Sequence, residues 1–220
     1  MKTVLYPDFY FRIEGGGGIL SIIIMVGLVL GPVLTVIVYN PGKPGLKFDI
    51  SVIVALQVAT LLYGVHLVYQ ERPLYLVNTG SLFRIVAASE IDVDRIRNEA
   101  LKVSLFDKPK LVYAHAEDDV RQDILWDAIS GGRDLDLRPE HYEPLSEHID
   151  EVRKRALPLT TDILDDQEKQ ALDSYLSREQ ASLDDFLYYH LKAKKGFYLA
   201  VFSKDDFQLK AVLDIDAEEI

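Results

Sequence analysis

An unbroken run of 21 residues at positions 19–39, ILSIIIMVGLVLGPVLTVIVY, carries no charged side chain. As a helix it would be about 31 Å long, matching the hydrocarbon core of a bilayer. A soluble helix so uniformly apolar would need a far larger protein around it than 220 residues supply. A secretory signal peptide fits badly. The run is too long for an apolar h-region, and Asn40-Pro41-Gly42-Lys43 behind it offers no small-x-small cleavage site. The run predicts a transmembrane helix.

Residues 50–69, ISVIVALQVATLLYGVHLVY, predict a second uncharged span, made less extreme by Gln57 and His66. Between the two lies the turn Asn40-Pro41-Gly42-Lys43-Pro44-Gly45. A connection so short predicts an antiparallel helical hairpin, with both chain ends on one side of the membrane. Lys43 and Lys47 favour a cytoplasmic turn, nearly balanced by Lys2, Arg12, Arg72 and Arg84 on the other side. Pro32 predicts a kink that neighbouring helices tolerate in a bilayer. Small residues recur four apart at Gly27, Gly31 and Thr35, at Ala55 and Ala59, and at Thr60 and Gly64. In lipid such ridges let helices approach closely, so they serve either the hairpin itself or a groove for another protein's transmembrane helix. Gln57, near mid-membrane, is the candidate for an interhelical hydrogen bond; His66 falls close to the interface.

Residues 1–70 thus form an anchor, and residues 71–220 a separate domain large enough for one core. Its first strand pair is predicted by Leu74-Tyr75-Leu76-Val77 and Leu82-Phe83-Arg84-Ile85-Val86 around Asn78-Thr79-Gly80-Ser81. A second hairpin is predicted by FYLAVF at 197–202 and LKAVL at 209–213, and a further short strand by Leu111-Val112-Tyr113. Val120, Ile124, Leu125 and Ala128 predict one face of a helix that Gly131-Gly132 terminates. Ser182 followed by Asp185 resembles a capping box and predicts a helix through Phe186, Tyr189 and Leu191. Strands at both ends and helices between them argue for an α+β fold with a mostly antiparallel sheet.

The domain concentrates the acidity. From Glu71 onward 32 acidic side chains face 20 basic ones, so nucleic acid would be repelled and is not an expected partner. With no cysteine, disulfides, thiol catalysis and Cys-based zinc sites are excluded. His115 with Glu117, Asp118 and Asp119, His141 with Glu143, and His148 with Asp150 match no metal-binding spacing and read as surface charge. Neither Gly15 to Gly18 nor Ser130-Gly131-Gly132 is placed like a phosphate loop, and no nucleophile elbow is present. The expectation is a protein that is not an enzyme, with no cofactor, no metal and no small-molecule substrate.

LGPVLTVIVYNPGKP at 30–44 closely resembles the signature of the TfpX/TfpZ-like type IV pilin accessory proteins. The likeness continues through Leu46-Lys47-Phe48-Asp49, Gln57, Tyr63-Gly64 and Glu71-Arg72-Pro73. Upstream it takes in Tyr6-Pro7 and Phe11-Arg12-Ile13-Glu14-Gly15-Gly16. In the acidic domain it runs more weakly through residues 110–113, Arg138-Pro139-Glu140 with Tyr142, and residues 197–213. Two departures stand out: members usually carry a further transmembrane helix ahead of the Tyr6-Pro7 segment, and often an acidic residue where Gly27 stands. The first leaves open a shortened reading of the chain or a two-span variant. The resemblance implies an inner-membrane accessory with a periplasmic domain, assisting the stability or assembly of a cognate type IV pilin in a chaperone-like way. Signature and candidate interaction residues are then Gly27, Gly31, Pro32, Thr35, Tyr39, Asn40, Pro41, Lys43, Pro44, Gln57, Arg72 and Pro73. The rival reading is a membrane-tethered sensor or regulatory domain with the same architecture.

Overall fold

The computed structural model describes residues 13, 18, 21, 24–25, 27, 31–39, 44–104 and 107–216. They fall into two compact units, Gly15–Arg72 and Pro73–Ile220, the second taking in Ile13.

In the first unit, α1 (Gly31–Val38) packs on α2 (Leu46–Gln70). Eight of the 21 residues of the predicted 19–39 span, and Asn40, Pro41, Gly42 and Lys43 of the turn, lie outside the described residues. The second span is longer than expected. It begins at Leu46 because Gly45, at φ 93°, makes the left-handed bend that releases the helix, and Lys47 and Asp49 extend the first turn. Asp49 there also complements the helix dipole. With 25 residues, α2 is long and apolar enough to cross a membrane. It is no core helix: Val52, Leu56, Leu62 and Tyr63 are exposed, and only Ile53, Gly64 and Val68 are fully buried.

The second unit is built on one seven-stranded sheet in the order β4-β3-β1-β2-β5-β6-β7. The strands are β1 (Pro73–Asn78), β2 (Leu82–Ala87), β3 (Lys110–Ala114), β4 (Tyr142–Pro144), β5 (Phe186–Ala193), β6 (Gly196–Ser203) and β7 (Leu209–Leu213). Both expected hairpins form. In the first, the Asn78 side chain accepts from the Gly80 amide at 2.8 Å, and Gly80 sits at φ 120°, where a side chain would be strained. Two pairings are parallel, β1 with β3 and β2 with β5; the other four are antiparallel. The sheet is therefore mixed with an antiparallel majority.

β5 overturns the helix expected after Ser182. The capping box does form, with the Asp185 carboxylate accepting from the Ser182 amide at 2.7 Å, but it caps one turn, Leu183–Asp185. The chain then extends, because Tyr189, Leu191 and Ala193 alternate with His190 and Lys192, a period of two. Aromatic Phe-Leu-Tyr-Tyr also favours a pleated surface.

Both sheet faces are covered. On one, Tyr75, Val77, Val86 and Val112 meet Ile124 of α3 (Asp118–Ile129), and Tyr188, Leu199 and Val201 meet Leu172 and Tyr175 of α5 (Asp166–Glu179). On the other, Phe83, Tyr189, Phe202 and Phe207 form an aromatic cluster with ring centres 4.8 to 6.0 Å apart. There α4 (Leu145–Lys154) closes the layer: the Tyr189 hydroxyl donates to the Val152 carbonyl at 3.0 Å. Such edge-on and offset rings add about 1 kcal/mol each beyond their burial.

Candidate functional site

The apolar helix pair and the acidic domain each present a candidate surface. On α2 the residues Ile53, Gln57, Thr60, Gly64 and Val68 recur three or four apart and are buried or half-buried. That spacing makes one stripe, against which α1 lies. Gly31 is buried opposite Gln57, so close that a Cβ added there would stand 2.9 Å from the Gln57 Cδ atom. The ridge of Gly31 is thus used for contact inside the pair, and Thr60 with Gly64 belongs to the same packed stripe. Hydroxyls along the pair bond their own helix: Thr35 to the Gly31 carbonyl at 2.9 Å and Thr60 to the Leu56 carbonyl at 2.9 Å. This satisfies polar groups without help from water.

The other ridges are bare. Ala55 and Ala59 lie roughly opposite the packed stripe by helix geometry, and both are exposed. Gly27 is exposed too, and a Cβ on it would meet nothing within 4 Å. Pro32, Tyr39 and Pro44 are exposed, and His66 faces outward. Just past α2, Arg72 is buried with its guanidinium 3.9 Å above the Tyr69 ring centre, and Pro73 opens β1.

In the domain, three histidine-bearing segments flagged in the sequence converge. His115, Glu117, His141 and Glu143 line an open cleft of about 720 Å³ with Arg97 and Glu140. His148 joins them through Glu143, at 2.5 Å, and its ring stacks on Tyr113 at 4.4 Å. Among the described residues no three His, Asp or Glu side chains converge as metal ligands.

Sequence reasoning missed a half-buried charge cluster on the sheet, centred on the buried Asp136. Arg84 on β2 donates to Asp136 at 3.0 Å and to Glu90 at 2.9 Å, and Glu90 also accepts from the Ala87 amide. Burial alone would lower the Arg84 pKa, but the two carboxylates hold it above its ordinary value. Burial pushes the Asp136 carboxyl up, against the pull of Arg84. The nearby Tyr142 hydroxyl donates to the Asp136 carbonyl at 2.5 Å, and desolvation raises its pKa. Every charged partner in this cluster is a neighbouring side chain, so its part is to fix the loop of residues 134–137 against the sheet.

The class is that of a mixed-sheet α+β domain joined to a helix long and apolar enough to cross a membrane. Over 220 residues the chain is 26% identical to "Fimbrial assembly protein, serogroup I" of Dichelobacter nodosus, covering 96% of this chain and 81% of that protein. It is 25% identical over 228 residues to "Fimbrial assembly protein, serogroup E1" of the same organism, covering 99% and 87%. With "Fimbrial assembly protein, serogroups C1 and C2" it shares 32% identity over 96 residues, 42% of this chain and 72% of that protein. The chain belongs to this family of fimbrial assembly proteins. No family model matches the chain, and no solved structure does.

Proposed function

We propose that this chain is an inner-membrane accessory of pilus assembly that holds a cognate type IV pilin by non-catalytic binding, with its acidic domain in the periplasm. Kinship with fimbrial assembly proteins along nearly the whole chain is the observation that carries this reading. The narrower placement among TfpX/TfpZ-like accessories rests on the signature at 30–44 and the residues that follow it. In this reading residues 19–39 and α2 form a transmembrane hairpin, with Gly31 and Gln57 at its seam.

Pilin subunits wait in the membrane on an apolar helix. Ala55 and Ala59 on α2, together with Gly27, offer that helix small-residue surfaces the hairpin does not use itself. Deleting the gene is expected to lower cellular pilin and surface pili; unchanged piliation would sink the assignment. Gly27→Leu and Ala55→Leu/Ala59→Leu leave the Gly31–Gln57 seam intact and are expected to reduce co-purification of full-length pilin. If pilin still co-purifies at the wild-type level with both variants, the helix groove is wrong.

A further inference from the structure

α3 turns a large apolar face away from its own core. Ile124 is buried and Ala128 half-buried, whereas Leu125, Trp126 and Ile129 are 56%, 61% and 68% exposed. At 100° per residue these three occupy an arc of about 100° on one side of the helix. Among the described residues of the domain, the other exposed large apolar side chains are Val93, Val120 and Ile163, and Val120 belongs to the histidine-lined cleft. Trp126 is the chain's one tryptophan. Three large apolar residues side by side make a patch on the order of a few hundred Å², the size that marks interaction sites on folded domains.

The surroundings of the patch select its occupant. Asp119 and Asp123 follow Trp126 around the helix and are exposed, and Asp118 stands at the N-terminal end of the apolar arc. Arg121 is on the opposite flank, where the patch runs into a cleft of about 320 Å³ lined by Leu125, Leu135, Asp134, Asp136 and Lys192. That cleft carries both signs of charge, so the aspartate flank decides. It repels anionic lipid headgroups, and two copies joined face to face would oppose their own aspartates. A folded protein surface with an apolar centre and a Lys/Arg rim satisfies both halves.

We infer that Leu125, Trp126 and Ile129 form the docking surface for the globular domain of a cognate pilin, through an apolar spot rimmed by basic side chains. This rests on the pilin-binding reading above and assigns the acidic domain its share of that contact. An exposed aromatic anchor beside a cleft is where binding energy concentrates.

The test uses the full chain in nanodiscs of neutral lipid, with Trp126 labelled as 5-fluorotryptophan. The titrant is the cognate pilin's globular domain, cut free of its apolar helix. The Trp126 fluorine resonance is expected to shift saturably. Leu125→Ser/Ile129→Ser, which keeps the reporter, is expected to weaken binding tenfold or more. Asp119→Lys/Asp123→Lys should weaken it further at low salt than at high salt, and Ile163→Ser should leave it unchanged. A pilin domain that binds without moving the Trp126 signal, and equally well to Leu125→Ser/Ile129→Ser, overturns the surface and leaves pilin binding standing. So does an isolated pilin domain that fails to bind while full-length pilin still co-purifies. If full-length pilin does not co-purify either, the functional reading falls and takes the surface with it. A Trp126 shift produced by anionic nanodiscs alone, or by raising protein concentration alone, overturns the proposal in favour of the membrane or a second copy.

Discussion

α2 and α3 both expose large apolar side chains, and they do it in opposite ways. Around α2 the exposure runs over most of the circumference, with no charge between Asp49 and Glu71. On α3 it is concentrated on one arc, with Val120 apart from it, of a helix that also carries Asp118, Asp119, Arg121, Asp123 and Asp127. A helix bare on nearly all sides is matched to a solvent that is itself apolar; a helix bare on one arc and charged beside it is matched to a partner of defined shape. The same contrast holds for charge. The domain hides Arg84 and Asp136 among its own side chains, whereas the helix pair has no ionised group along its apolar length to hide.

The largest effect is expected where charge is buried. Arg84→Ala leaves the buried Asp136 without its cation, and should destabilise the domain by about 4 kcal/mol, read from thermal unfolding in detergent. Next comes charge placed in lipid. Val58→Arg, at the exposed middle of α2, should oppose membrane insertion by about 3 kcal/mol and move protein out of the carbonate-resistant membrane fraction. Retention of this variant in the membrane would break the assignment of α2 to an apolar solvent.

Asp136→Asn sharpens the hidden-charge half with a smaller effect. The Asp136 carboxyl has a folded pKa raised above its ordinary 3.8. Its contribution to stability is therefore fully present below that ordinary value and is lost as pH rises through the raised one. Stability measured against pH should show this loss in the wild type and not in Asp136→Asn. Smallest of all, Leu125→Asp on α3 should change domain stability by less than about 0.5 kcal/mol, because the side chain already faces water. A large loss would mean that this arc is core after all.

Much of this architecture was legible in the sequence, and the gaps have physical causes. Both hairpins could be read because their turns and alternating strands are local signals, as Asn78 and Gly80 show. β5 was hidden by a genuine capping box: Ser182 and Asp185 make the same bonds whether one turn or four follow. Neither parallel pairing could be read, since Leu82 opposite His190 is set by tertiary packing across the chain. Leu125 shares its predicted helix face with Ile124, but adjacent helical residues stand 100° apart, enough to place one inside and the other out. The Arg84–Asp136 pair has no local signature at all. In the helix pair, the small-residue ridge at Gly31 was visible in an apolar run, and Gln57 packs against it. Which ridge would be used inside the pair, and which left bare, needed the positions of Ala55 and Ala59 relative to Ile53 and Gly64.

The parallel junction between β2 and β5 also governs the order in which the molecule can be completed. β2 leaves the ribosome soon after α2, yet its neighbour in the sheet arrives only with residues 186–193. Until then the first hairpin presents an unpaired strand edge, just behind a helix long and apolar enough to cross a membrane. Closing so distant a pairing is entropically slow. A chain cut short before β5 would keep its hairpin edge permanently open and its Phe83 ring uncovered, a ready template for aggregation rather than a smaller working domain.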